Sequence, residues 1–427
     1  MDPHVKSEIY ENYLQPLRNS EIIHRRRYKE DMRDRLDGEY QRDYTRILYS
    51  SSFRRLQGKM QLFGIKPDQF FRNRLTHSLE VAQIANSIAF DIGYERDECY
   101  IVEAGSLAHD IGNPPFGHAG EKSLNRLCRK FGGFEGNAQT LRILTTVEQK
   151  RPEFQGLNLT HRTMLSIVKY FNRFNSELKD EDYDKQKFIY DDDYLYLSKL
   201  FSSFGVSMRT LDVQIVDLAD EIAYAAHDLE DGLRQRIFDI DEILHDYHSS
   251  NGNSDSYSKL KDIVAKSRKK AKFGKKHVDS SEYSKLFRKE ITSAIINTLI
   301  HDITLIDVTE SMKVKTNTCN VKELGFGKFS ELAHELKRIT FQCINHNDQV
   351  FLYEHNGNKI LRTLFRLYTT VPEYLPPEYR AKEVLQQYNL RTDGKTLQKR
   401  LIIDYISGMM DSYAISTYKR FKNNNEI

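Results

Sequence analysis

The chain has no apolar run approaching the ~20 residues needed to cross a bilayer, so no membrane-spanning helix is expected. Its first residues, Met1-Asp2-Pro3-His4-Val5-Lys6, show no positive patch leading into an apolar stretch, so no signal peptide is expected either. Cysteine is scarce. Cys99, Cys128, Cys319 and Cys343 are scattered and never form a CxxC pair. They read as buried or incidental thiols in a reducing compartment, which excludes a disulfide framework and a zinc knuckle and points to the cytoplasm. An excess of one charge is also missing: 64 basic against 61 acidic residues leave a formal +3, which by itself demands no nucleic-acid partner. Strand signals are few, and no internal repeat is visible.

What is present is helical periodicity in a chain of 427 residues, long enough for one large helical domain or two smaller ones. Leu75, Leu79, Ala82, Ile84, Ala85, Ile88 and Ala89 recur at three- and four-residue spacing. A second helix is predicted over 98–111, ended by Gly112 and Pro114. The longest stripe runs over 210–231 through Leu211, Ile215, Leu218, Ala219, Ile222, Ala226 and Leu229. Further helices are predicted over 137–147, 160–170, 283–303, 327–344, 357–369, 379–389 and 396–421. The segments 306–309 and 349–352 read as a small β ribbon. The expected fold is therefore all-α with a minor ribbon, in three parts: a core over 1–248, a basic polar loop carrying one short helix over 249–282, and a C-terminal helical region over 283–427 packed on the core. The basic runs 24–29 and 266–276 and the acidic run 180–193 read as solvated surface, and the polar, aromatic stretch 172–194 is long enough for a functional flap.

Chemistry concentrates at 109–121, which reads His-Asp-Ile-Gly-Asn-Pro-Pro-Phe-Gly-His-Ala-Gly-Glu. Burying His109 and Asp110 side by side at the end of an apolar helix is costly unless something compensates them. A divalent cation does so, because imidazole and carboxylate both donate to it. His77, near the start of one apolar helix, and Asp220, in the middle of another, are the best candidates to complete the ligand set. Taken singly, a histidine on an apolar helix is more often a core residue and a helical aspartate more often a surface one. Together the order His…His-Asp…Asp on three helices is specific. His118 and Glu121, three apart, admit two readings of equal weight: a tuned proton carrier, or an ordinary helix start in which His118 caps and Glu121 meets the dipole.

That order, and several longer segments, resemble the HD-domain deoxynucleoside triphosphate triphosphohydrolases (the dGTPase-like family). The matching stretches are 46–57, 74–81, 109–121, Gly132-Gly133-Phe134-Glu135-Gly136-Asn137-Ala138-Gln139, Lys169-Tyr170, 219–224 with 228–231, and 404–411, in family order over nearly the whole chain. The resemblance implies an HD helical core with additional C-terminal helices, and a metal set of His77, His109, Asp110 and Asp220 holding Mn²⁺ or Mg²⁺. It implies His118 and Glu121 as catalytic residues. Arg74, Lys169 and Tyr170 fall to the phosphates, and Gln57, Tyr224 and Asp228 to the deoxyribose; without the family, Tyr224 reads as a core aromatic and Asn137 as structural. The implied activity is hydrolysis of a dNTP, dGTP foremost, to deoxynucleoside and inorganic triphosphate. Implied partners are a dNTP effector, single-stranded DNA and further copies of the chain, as a dimer or trimer of dimers. Lys59-Met60-Gln61-Leu62 and Phe171 depart from the family's usual Lys-Thr-Gln-Val and proline. Two other readings compete: an HD phosphohydrolase of monophosphates or guanosine alarmones, and a nucleic-acid-binding regulator on the same fold.

Overall fold

Helices α1 (Arg74–Ile92), α2 (Arg96–Ala108) and α5 (Leu211–Gln235) form the centre of the molecule. The computed structural model describes residues 1–30, 38–61, 72–272, 279–345, 348–388 and 393–424. Each central helix begins where the sequence supplies a cap. Asn73 and Thr76 close a reciprocal capping box on α1, Glu95 and Glu98 one on α2, and the Thr210 hydroxyl accepts from Val213 N–H on α5. Most of each predicted stripe is buried: Val81, Ile84, Ala85 and Ile88 of α1 meet Val102 of α2 and Ile215, Ala219, Ile222 and Ala226 of α5 in one core, whereas Leu79 of the predicted α1 stripe is exposed. Gly93, at φ 106°, stops α1 with the left-handed turn that glycine tolerates best.

Two shorter helices follow the motif segment, α3 (Gly117–Leu127) and α4 (Gly136–Arg142). Beyond α5 come α6 (Asp255–Lys272), α7 (Ser280–His301), α8 (Ser330–Asn345), α9 (Asp348–Thr370), α10 (Gly394–Ser407) and α11 (Asp411–Asn423). Ile291, Ile295, Leu332 and Leu336 of α7 and α8 join the same core as α1 and α5. A second core, with Leu361, Leu364, Ile402, Ile403 and Ile406 from α9 and α10, packs on Phe116, Leu124 and Phe134. The C-terminal helices therefore lie directly against the motif segment.

The fold corrects several sequence expectations. The insertion at 249–282 is mainly a helix of 18 residues, α6. Leu260, Ile263, Val264 and Ala271 give it a buried face that the lysines between them obscure; 273–276 of the basic run lie outside the described residues, as does Leu62. The ribbon forms from β1 (Ile303–Asp307) and β2 (Lys322–Phe326), antiparallel with Leu305 opposite Leu324, whereas 349–352 is the first turn of α9. A short apolar run has no period long enough to separate helix from strand. The single helix predicted over 396–421 is broken at Gly408 into α10 and α11. Nor are the charged runs uniformly solvated, since Arg26 is buried against Asp43 and Glu39 and Asp193 is buried against Thr145. All four cysteines are free.

Candidate active site

Packing of α1, α2 and α5 brings three distant residues to one point. His77 stands in the first turn of α1, His109 caps the end of α2, and Asp220 lies mid-way along α5. His77 Nε2 is 3.1 Å from Asp220 Oδ1, and His109 Nε2 is 3.5 Å from the same oxygen. One ligand atom from each of the three lies within 4.8 Å of the others. His109 Nδ1 sits 2.6 Å from the Ser106 carbonyl; a carbonyl only accepts, so Nδ1 carries the hydrogen and the Nε2 lone pair faces the cluster. Among the described residues that buried Nε2 has no hydrogen-bond partner, a costly state for a polar atom. The donor set of two imidazoles and a carboxylate, with an orphaned nitrogen aimed at their centre, fits a divalent cation.

Asp110 stands beside this group. Its Oδ2 accepts from Arg74 Nη1 at 2.6 Å, its Oδ1 from the Asn113 amide, and Oδ1 lies 3.6 Å from His109 Nε2. Burial would push Asp110 up, but Arg74 and the two histidines hold it below its ordinary value. Burial also pushes His109 down, yet Asp110 and Asp220 outweigh it and bring it to about 9. These carboxylates thus favour positive charge on His109, and a cation competes with that proton for the same lone pair.

The cluster opens into a cavity of about 510 Å³, within the ~300–1,000 Å³ usual for small-molecule sites. Cations line it. Arg74 is buried and its Nε has no partner. Lys169 contacts Asp217 and lies 3.8 Å from Asp220 Oδ2; burial lowers it, but Asp217 keeps it well above the ordinary lysine value. Lys187, from the 172–194 segment, bonds Glu135 at 2.7 Å. Lys169 and Lys187 lie 5.9 and 6.0 Å from the centre of the Tyr170 ring. His118 is largely exposed, and its Nδ1 lies 3.3 Å from Glu121 Oε2. Burial raises Glu121, but His118, Lys187 and the Gly136 N–H hold it down at about 2, so it is ionised at neutral pH and accepts from the imidazole. No side-chain hydrogen bond caps the start of α3.

Comparison with known proteins matches residues 74–225 to the HD domain and 328–420 to a phosphohydrolase-associated domain. The deoxyguanosinetriphosphate triphosphohydrolase-like protein 2 of Vibrio cholerae is 46% identical over 387 residues, 89% of this chain and 87% of the relative. A triphosphohydrolase-like protein of Shewanella halifaxensis is 34% identical over 92% of this chain and 94% of its own. One of Deinococcus radiodurans is 33% identical over 90% and 92%. The chain belongs to the dGTP triphosphohydrolase-like family of HD-domain phosphohydrolases. The HD match encloses His77, His109, Asp110 and Asp220, and the associated domain spans α8 to α11 almost entirely.

For this HD-domain hydrolase the remaining predicted residues divide. Tyr224 packs on His77 with ring centres 5.1 Å apart, and Asp228 lines the same cavity. Burial, with Asp231 beside it, pushes Asp228 well above the carboxylate range. Asn137 lines the cavity while donating to Glu135 at 2.8 Å. Gln57 does not join them: it is exposed on the turn Leu56–Gly58, away from the cavity lining. Gln61 takes the place in the wall, with a buried Oε1 lacking a hydrogen-bond partner among the described residues; its only signal in the sequence was the Lys-x-Gln pattern of residues 59–61. Lys187, Asp217 and the α8 residues Lys337 and Arg338 also line the cavity, and no local pattern marked them. Lys337 Nζ lies 5.0 Å from the Tyr224 ring centre. Among the described residues no helix is long and apolar enough to cross a membrane.

Proposed function

We propose that this hydrolase cleaves a deoxynucleoside triphosphate, dGTP foremost, to deoxynucleoside and inorganic triphosphate, and does so in the cytoplasm. One observation carries the reading: a metal-fitting cluster, a wall of cations and a histidine–carboxylate pair share a single cavity. His77, His109, Asp110 and Asp220 would hold the cation, Mn²⁺ or Mg²⁺. When bound, it supplies Lewis-acid neutralisation of charge on the α-phosphate.

The chain's own groups do the rest. Arg74 uses one nitrogen on Asp110 and keeps Nε for a phosphate oxygen. Lys169 and Lys187 supply point charges for the outer phosphates. Water adds to the α-phosphorus, the bond from phosphorus to the 5′-oxygen breaks, and that oxygen leaves with a proton. An alkoxide is a poor leaving group, so the proton must be delivered as the bond opens. His118, held through Nδ1 by ionised Glu121, has Nε2 free to deliver it. Tyr224 and Asp228 belong on the sugar side, where an aromatic ring under C2′ disfavours a 2′-hydroxyl.

Hydrolysis in ¹⁸O-labelled water tests the reading. The label should appear in triphosphate, with unlabelled deoxynucleoside released. Pyrophosphate plus monophosphate, or stepwise loss of single phosphates, would overturn it.

A further inference from the structure

The family segment 404–411 lends no side chain to the cavity wall, yet its two carboxylates are almost fully buried, Asp404 at 2% and Asp411 at 1% exposure. Asp404 is held by Arg142 and Gln139 on α4. Asp411 is held by the motif loop itself. Its Oδ1 accepts the Phe116 N–H at 3.2 Å; its Oδ2 accepts the Met60 N–H at 3.1 Å and the Tyr353 hydroxyl at 3.0 Å. Lys59 ties the same loop to α10 by donating to the carbonyls of Asn113 and Ser407.

Phe116 has φ 65° and Gly117 φ 56°. The left-handed region is unfavourable for a residue with a side chain, so such a turn persists only where its surroundings over-determine it. The Phe116 ring packs against Tyr353, with ring centres 5.4 Å apart. It also lies against Gly357, where a Cβ would come within 2.3 Å of it. The next residue after this turn is His118.

We infer that Asp411 is a positioning residue for His118: the C-terminal region fixes the Phe116-Gly117 turn through this carboxylate and so aims the imidazole into the cavity. The inference rests on the proposed role of His118 as proton donor. Misplacing a reacting group by about 1 Å costs roughly 10²-fold in rate, so Asp411→Asn should lose turnover on that scale while KM and bound metal stay unchanged.

The test compares a dNTP with its analogue carrying sulfur in place of the 5′-bridging oxygen, a leaving group that departs without a proton. His118→Ala and Asp411→Asn should both be slow on the oxygen substrate and both recover on the sulfur one. The double variant should lose no more than His118→Ala alone. Hydrogen exchange should rise in the 112–121 segment and not in α1 or α2. An Asp411→Asn loss that persists with sulfur, additive losses, or unchanged exchange at 112–121 would overturn the inference while leaving the role of His118 standing. Wild-type turnover in His118→Ala would overturn that role and this inference with it. If Asp411→Asn does not fold, Tyr353→Phe removes one of the three donors and should show the same pattern at smaller amplitude.

Discussion

Helices α2 and α5 each contribute to two buried ionic clusters, and the two are finished in different ways. Near the starts of both helices, Arg162 is fully buried between Glu98 and Asp212. It donates to Asp212 through Nε and Nη2, both at 3.1 Å, and to Glu98 through Nη1 at 3.0 Å. Arg18 adds a second cation on Glu98, and the Tyr94 hydroxyl donates to Asp212 at 2.9 Å. Charge and hydrogen bonds close within the protein. At the other cluster, His109 Nε2, Arg74 Nε and Gln61 Oε1 have no hydrogen-bond partner among the described residues. Burial is similar, so burial alone does not mark function. The difference lies in polar atoms left open in the second cluster and paired in the first; open buried atoms carry a desolvation cost that a bound ligand can offset.

Breaking the open cluster should give the largest effect on turnover. Asp220→Ala or His109→Ala should abolish activity and bound metal, with circular dichroism still helical; full metal occupancy in both would sink the ligand assignment. His118→Ala sharpens the same side of the comparison. It should keep metal and substrate binding but lose ~10²–10⁴-fold in turnover, the range of a general acid, and a wild-type rate would return His118 to an ordinary helix-start residue.

The closed cluster should fail in stability instead. Arg162→Ala leaves Glu98 and Asp212 buried without their shared cation, a change worth ~3–5 kcal/mol. Denaturant melts should show this, and the protein that remains folded should turn over at the wild-type rate; a specific loss of turnover would erase the distinction between the clusters. The same cluster predicts an acid response. Burial raises Glu98, but Arg18 and Arg162 outweigh it and bring it from 4.5 to about 2. A carboxylate depressed in the folded state stabilises above its unfolded value, and that contribution is lost as pH falls from about 4.5 towards 2. Glu98→Gln should flatten the fall in melting temperature across this window, and an unchanged slope would assign it to other groups. The smallest expected effect is at the edge of the open cluster. Tyr224→Ala should narrow the preference for dGTP over GTP by about tenfold, within the range that pocket contacts supply; an unchanged ratio would show that Tyr224 does not read the sugar.

The helices that carry His77, His109 and Asp220 were legible because their apolar residues repeat every three to four positions over three turns or more. Asp255–Lys272 was not, because Lys261, Lys266, Lys269 and Lys270 are interspersed among Leu260, Ile263, Val264 and Ala271. The first turn of α9 passed for a strand because four apolar-rich residues carry no decisive period. In the site, Gln57 and Gln61 could not be ranked from their surroundings in the chain: they lie four residues apart in one short stretch, and only tertiary packing exposes one and buries the other. Lys187, Lys337 and Arg338 reach the cavity from positions 69 to 228 residues beyond His118 or Asp110 in the chain.

By itself, the sequence determined the residue types, their order and the helices that present them, because capping and amphipathic periodicity act over a few neighbouring positions. It therefore sufficed for the family, the helical class and three residues, His77, His109 and Asp220, that the fold brings together. Only the tertiary structure decided that His77, His109 and Asp220 converge while Asp110, beside them, is drawn to Arg74. Only it decided that His109 Nε2 is buried with no hydrogen-bond partner among the described residues, and that a carboxylate near the C-terminus accepts from the turn before His118. Such outcomes depend on where helices distant in the chain cross, and crossing is set by the fit of whole buried faces rather than by any local run of residues.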